Sequence, residues 1–231
     1  MRTAAILPVK SFSRAKQRLG ASVADQLRLQ LAEAMVADVL LALAQTEAIE
    51  RTIVVTREDK VAEVARVHHA IVVLDDAESG QSPAAALGVQ RALADGIERV
   101  LCIPGDCPAL DPAELEELLG AEAAEHRDRR AVVIVPDRHG TGTNGLLLTP
   151  PDAITPSFGP DSCERHRKLA FAAAIEPVIK RPASLLLDID TGADLAALRE
   201  RLMGLSAWAP RTRAVLGLGE RSDSFPLTTP A

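Results

Sequence analysis

Short apolar runs rich in valine and isoleucine alternate along this chain with longer stretches whose apolar positions recur every three or four residues. Residues 3–9 (TAAILPV), 52–56 (TIVVT), 70–74 (AIVVL), 99–104 (RVLCIP), 131–136 (AVVIVP) and 145–149 (GLLLT) read as strands, being short, apolar and bounded by turn residues. Between them a long helix is predicted from Ser22 as N-cap, with Leu27, Leu31, Met35 and Leu41 on its apolar face, and a second over residues 58–67. Ser82-Pro83 opens a third, with proline at the first helical position, where its missing N–H costs nothing. Asp111-Pro112-Ala113-Glu114 then supplies an N-cap, an N1 proline and an acidic N3 for a fourth that reaches Glu125, close to a capping box. Further on, residues 160–174 predict a helix, 175–180 and 185–189 two more strands, and 192–204 a helix capped by Thr191. Strands that are apolar on both faces and separated by helices call for a mostly parallel central sheet covered on both sides. The expected fold class is therefore α/β: a three-layer α/β/α, Rossmann-like arrangement. One domain is expected over residues 1–208, followed by a Pro-, Arg- and Ser-rich tail, 209–231, of looser order.

Composition narrows the partners. With 26 basic against 32 acidic residues, a net charge of -6 and 2% aromatics, the chain offers neither the basic face nor the stacking groups of a nucleic-acid binder. The opening MRTAAILPVKSFSRAK is broken by Pro8 and Lys10, and no later run approaches the roughly 20 apolar residues of a membrane span. No membrane partner and a cytoplasmic location are expected. Cys102, Cys107 and Cys163 form no C-x-x-C pair, so they predict neither a disulfide framework nor a zinc site.

The candidate chemistry lies just after the strands, because ligands of an open parallel sheet bind beyond the carboxyl ends. There stand Lys10, Arg14, Lys16 and Arg18 after the first strand, Asp106 in the turn after RVLCIP, and Asp188 and Asp190 after SLLL. Basic residues with separate carboxylates suit a phosphorylated anion and a divalent cation such as Mg²⁺, which completes its octahedron with phosphate oxygens and water. Each residue also has a plainer reading: a turn for Asp106, helix capping for Asp190, a solvated loop for residues 10–18. The stretch HGTGTNG (139–145) contains a G-x-G-x-x-G, but it lies between two predicted strands and fails the strand-then-helix test of a dinucleotide fingerprint. His68, His69, His126 and His139 read as surface residues, and no covalent nucleophile is evident.

Taken together, PVK...AKxRL (residues 8–19), ESGQSPAAALG (78–88), GDCPAL (105–110), GTGTNGL (140–146), FGPDSCERH (158–166) and DIDT (188–191) resemble the nucleotidyltransferases with a nucleotide-diphospho-sugar-transferase fold. More closely, they resemble the guanylyltransferases that activate a small phosphorylated three-carbon acid in coenzyme F420 biosynthesis. GTGTN followed by FGxxSxxxH is the narrow part of the match. By that resemblance Asp106 with Asp188 or Asp190 would hold Mg²⁺, and Leu7, Pro8, Val9, Lys10, Gln81 and Ser82 would bind GTP. Lys16 and Arg18 would meet its phosphates and, with Asp106, form the catalytic set; Thr143, Gly159 and Ser162 would take the acid. Gly142 and Gly145 would let backbone N–H groups approach an anion. The family's PEDL-like ending is GADL here (192–195), which weakens the case for the helix that follows.

Such a reaction needs no general base, since a phosphate monoester with a second pKa near ~6 is already an anionic nucleophile at neutral pH. Phosphoenolpyruvate is the expected acceptor, with 2-phospho-L-lactate and 3-phosphoglycerate as alternatives. A homodimer is expected from the resemblance and from the frequency of two-fold oligomers. Two other readings stand beside this one: a glycosyltransferase, from the D-x-D of Asp188-Ile189-Asp190, and a non-catalytic nucleotide-binding module.

Overall fold

The period-two alternation of buried side chains along each strand sorts the core into two layers, one on each side of a seven-stranded sheet. The protein is represented by a computed structural model that describes residues 1–12, 19, 24–125, 130–204 and 208–218. In chain order the elements are β1 (Thr3–Pro8), α1 (Asp25–Ala44), β2 (Arg51–Thr56), α2 (Asp59–Val67), β3 (Ile71–Leu74), α3 (Gln81–Ala94), β4 (Arg99–Cys102) and α4 (Pro112–Glu125). There follow β5 (Ala131–Pro136), β6 (Thr143–Thr149), α5 (Ser162–Ala172), β7 (Val178–Ile179), α6 (Gly192–Met203) and α7 (Pro210–Val215). The sheet order is β3-β2-β1-β4-β6-β5-β7, parallel except for β6, which runs against both its neighbours.

Ala5, Leu7, Val54, Leu101 and Val133 point to the layer of α1, α2 and α4, while Ala4, Ile6, Ile53, Val100 and Ile134 point to that of α3 and α5. Burial on both faces explains why these strands read as continuous apolar runs. The layer of α3 approaches the sheet closely at Gly88, where an added Cβ would stand 2.4 Å from Ile6 Cγ2. A third cluster joins Leu31 and Met35 of α1 to Leu195, Leu198 and Leu202 of α6 and to Leu216 beyond α7. Thus α1 is buried on two sides. Of the residues predicted on its apolar face, Leu31 and Met35 meet α6, while the sheet takes Ala32, Val36, Val39, Leu40 and Leu43.

Several element boundaries differ from expectation for local reasons. α1 begins after Ala24, which makes no side-chain cap, and Ser22 lies outside the described residues. α3 begins at Gln81, so Pro83 stands at its third position, still within the first turn whose N–H groups lack helical partners. Glu114 turns its carboxylate to the backbone N–H of Ser184 at 2.7 Å, whereas Asp111 does accept from Ala113 N at 2.8 Å. Residues 185–189 form no strand: a 3₁₀ turn at Ala183–Leu185 leads into chain without regular structure, in which Ile189 N donates to Asp106 O at 3.1 Å. Residues 175–180 contribute only the two-residue β7.

The helix after DIDT is present and well capped despite the GADL variation. Thr191 accepts from Asp194 N, and Asp194 accepts from the N–H groups of Asp190 and Thr191, a reciprocal capping box built on the one acidic residue the motif retains. The chain after residue 209 is not wholly irregular either, because α7 docks on α1 through Asp38, which accepts from Arg211 N at 3.1 Å and Thr212 N at 2.7 Å. No helix among the described residues is long and apolar enough to cross a membrane.

Candidate active site

The carboxyl ends of β1 to β4 open on one rim, and a cleft of about 650 Å³ lies beyond them. Because β6 is antiparallel to β4, its first residues rather than its last reach that rim, which is how Thr143 and Asn144 come to line the same cleft as Asp106. Pro8, Val9, Lys10, Gln81, Asp106, Thr143, Gly159, Ser162, Asp188 and Asp190 all line it. Residues proposed from six separate parts of the chain are therefore gathered in one place.

Two predicted residues sit differently. Leu7 is fully buried in the core, so only its backbone is near the site. Ser82 is not part of the lining; its Oγ accepts from Phe158 N at 2.8 Å and ties the start of α3 to the turn that carries Gly159. Lys16 and Arg18, like Arg14, lie outside the described residues. The last described residues before them are anchored by acidic side chains: Phe12 N donates to Glu58, and Ser11 N donates to Glu78 Oε1 at 3.3 Å.

The acidic side of the cleft is held by a short network. Asn144 Nδ2 donates to Leu185 O at 2.8 Å and to Asp188 Oδ1 at 3.1 Å, so β6 positions the carboxylate that follows the 3₁₀ turn. Burial pushes the Asp188 carboxyl above its ordinary pKa, the negative charges of Asp106 and Asp190 add to the rise, and the Asn144 bond opposes it. A carboxylate whose proton affinity is raised by burial and by neighbouring negative charge is a group that a divalent cation would relieve. Among the described residues no three or more His, Cys, Asp or Glu side chains gather to hold a metal ion. The donor set fits an ion that takes one or two carboxylates and fills its sphere with phosphate oxygens and water. Behind the carboxylates, Asp194 binds Thr191 Oγ1 at 2.8 Å and pairs with Arg138, which fastens the Asp188–Asp190 segment to the loop after β5.

On the opposite side stands a buried imidazole. His166 of α5 is fully buried, with Nδ1 3.1 Å from Thr143 Oγ1 and Nε2 accepting from Ser157 N at 2.8 Å. Its ring meets Phe158 edge-on, centroids 5.2 Å apart. Burial, with a smaller contribution from Arg165, lowers its pKa to about 4. Arg165 in turn donates to Ser157 O and Phe158 O and holds the turn in which Gly159 takes φ +109°. That backbone angle favours glycine.

The turn after β5 is organised by the carboxylate of Asp137. Asp137 Oδ1 accepts from Thr141 N at 2.9 Å, and Asp137 N donates to Gly142 O at 3.2 Å. A Cβ on Gly142 would lie 2.8 Å from Asp137 Oδ2. Gly145 is in β6, and a Cβ there would come within 2.9 Å of Val135 Cβ. Packing therefore requires a glycine at both positions, and Gly142 also lines the cleft.

Asn144, His166, Asp137 and Asp194 were not singled out by reading the chain. The first two lie inside GTGTNGL and FGPDSCERH, so the signal was the motif itself, but their roles depend on what faces them. His68 is half-buried, His69 and His139 are exposed, and His126 lies outside the described residues.

Comparisons with known proteins bear on the family and the fold. The family described as "Guanylyl transferase CofC like" matches residues 3–203. A protein of Conexibacter woesei named phosphoenolpyruvate guanylyltransferase is 49% identical over 216 residues, covering 94% of this chain and 96% of the relative. One of the same name from Sphaerobacter thermophilus is 35% identical, covering 86% and 93%. Among solved structures, one from Desulfovibrio desulfuricans assigned to the nucleotide-diphospho-sugar transferases superposes with a TM-score of 0.73 at 18% identity, covering 94% of this chain and 95% of that one. A CMP-2-keto-3-deoxy-manno-octonic acid synthetase complexed with CTP superposes with a TM-score of 0.60 at 13% identity, over 88% and 99%. At such identities the structural likeness concerns the fold.

Proposed function

Because this chain belongs to the CofC-like guanylyl transferase family, we propose that it transfers GMP from GTP to phosphoenolpyruvate, releasing diphosphate and leaving enolpyruvoyl-2-diphospho-5'-guanosine. The observation that carries this reading is the near full-length identity of 49% to a protein named for that activity. The cleft supplies the complementary support: a basic residue, carboxylates and hydroxyl donors face one another across it. By the family resemblance the step belongs to coenzyme F420 biosynthesis.

In the proposed reaction a phosphate oxygen of the acid attacks the α-phosphorus of GTP, and the bond from that phosphorus to the bridging oxygen of the β-phosphate breaks. The acceptor oxygen is anionic at neutral pH, so the protein's task is to aim it and to reduce repulsion between two polyanions. Thr143, Gly159 and Ser162 are assigned to the acid. Pro8, Val9, Lys10 and Gln81, with the backbone at Leu7, are assigned to the nucleotide, and Lys16 and Arg18 to its phosphates. Ser82 acts indirectly, since its hydroxyl is bonded to the acid-side turn. Asp106 with Asp188 or Asp190 would hold Mg²⁺, which when bound supplies positive charge to the phosphate oxygens. A homodimer is proposed on the general frequency of two-fold assemblies.

The test is diphosphate release by the purified protein with Mg²⁺ and GTP, offered phosphoenolpyruvate, 2-phospho-L-lactate and 3-phosphoglycerate in parallel. Release is expected with phosphoenolpyruvate, and Asp106→Asn is expected to lower turnover by about 10²-fold or more. Release with another acid only would reassign the acceptor; none with any acid, despite GTP binding, would overturn the reaction.

A further inference from the structure

The tautomer of His166 is settled by a group that cannot turn. Ser157 N–H is a backbone donor with a fixed direction, and it points at Nε2 from 2.8 Å. Were Nε2 protonated, two hydrogens would meet in that gap, so Nε2 carries its lone pair. The ring is fully buried and its pKa is lowered to about 4, so near pH 7 it is neutral and the single proton lies on Nδ1. Nδ1 faces Thr143 Oγ1 at 3.1 Å and must donate to it. The hydroxyl of Thr143 is thereby an acceptor on its inner side, and with no acceptor bonded to its own hydrogen among the described residues, that hydrogen is left to the cleft that Thr143 lines.

We infer that His166 is a positioning residue that makes Thr143 an obligatory hydroxyl donor toward the anionic acid in the cleft. This rests on the reading of the cleft as the acceptor site of a guanylyl transfer. A threonine hydroxyl left to itself rotates and serves as donor or acceptor; an anion needs the donor only. Fixing the rotor in advance removes the reorganisation that acid binding would otherwise require. The contact with Ser157 gives the same imidazole a second task. It joins β6, which carries Thr143, to the turn carrying Gly159, so two of the residues assigned to the acid are held by one ring. Phe158 and Arg165 keep that ring and that turn in place.

Two measurements test the inference on separate grounds. The first is the nitrogen-15 spectrum of the imidazoles in the full-length protein at pH 7. The resonances of His166 are identified by their loss in H166Q or by a through-space contact with Phe158. An Nδ1–H tautomer is expected; an Nε2–H tautomer, or a doubly protonated ring, overturns the inference whether or not the enzyme turns over.

The second is a cycle of wild type, H166Q, T143V and the double variant, read by KM for phosphoenolpyruvate at saturating GTP. H166Q is expected to raise that KM about tenfold while KM for GTP stays within about twofold, the size expected for one hydrogen bond to a charged group. In the T143V background the same change is expected to have less than about twofold effect, because the hydroxyl it orients is gone. Equal effects in both backgrounds would show that His166 acts through the fold alone and would overturn the inference. Absence of turnover by the wild type with any acid would count against the reaction, leaving the spectrum to decide the tautomer.

Discussion

Burial moves His166 and Asp38 toward their neutral forms, and the consequences for stability have opposite signs. The pKa of His166 falls from 6.5 in the unfolded chain to about 4, so its contribution is present above 6.5 and is lost as pH falls through about 4. The carboxyl of Asp38 is raised by burial, so that group penalises the folded state at neutral pH and the penalty lessens on acidification. Comparing wild type with H166Q isolates the first effect. The stability advantage of the wild type, measured by urea denaturation, is expected to shrink by on the order of 3 kcal/mol between pH 7 and pH 4. A constant difference across that range would mean that His166 titrates normally. At this scale most of the residues the sequence singled out do line the cleft, since Asp106, Thr143, Gly159, Ser162, Asp188 and Asp190 stand at strand ends or in narrow motifs. It did not name Asn144 or His166 as organisers, because a hydrogen bond 23 or 44 residues away leaves no periodic trace.

Among the elements, α3 and α6 bring the chain to the cleft by different means. α3 lies against β1 at Gly88, with Ile6 Cγ2 2.4 Å from where a Cβ would stand. Gly88→Ala is expected to destabilise by about 1–3 kcal/mol through overpacking, measured by urea denaturation, although alanine is the better helix former. An unchanged midpoint would show that Ile6 can rotate aside. α6 depends on the reciprocal bonds of Thr191 and Asp194, which also receive the N–H of Asp190 and so fix where the DIDT carboxylates begin. Helices and central strands were legible because their periods are dictated by burial on the sheet. Residues 185–189 were misread as a strand because an apolar run buried between a turn and a helix has the same local composition as a buried strand.

For the molecule as a whole, the least evident feature is how the chain after α6 is attached. α7 rests on α1 through Asp38 at its N-terminus, with Thr212 and Leu216 buried beside it. Asp38→Ala is expected to cost about 1–2 kcal/mol and to speed amide hydrogen exchange in residues 209–216, with little change in the central strands. Protection unchanged in that segment would mean that apolar contact alone holds α7. Asp38, 173 residues before Arg211, reads in sequence as an ordinary polar position on a helix. Only the packing of α1 on two sides gives it a partner.

By itself the sequence determined the alternation of strand and helix, the three-layer class and the family, because these follow from burial periodicity and from residues held in fixed local spacing. Tertiary structure decided which glycines serve packing, which carboxylate crowds which, and which tautomer His166 adopts. Those properties belong to pairs of groups from distant parts of the chain, and their energies depend on distance and burial that no local pattern encodes. The reversal of β6 shows the difference: its apolar residues announced a strand, but only its antiparallel pairing with β4 brought Thr143 and Asn144 to the rim where Asp106 stands.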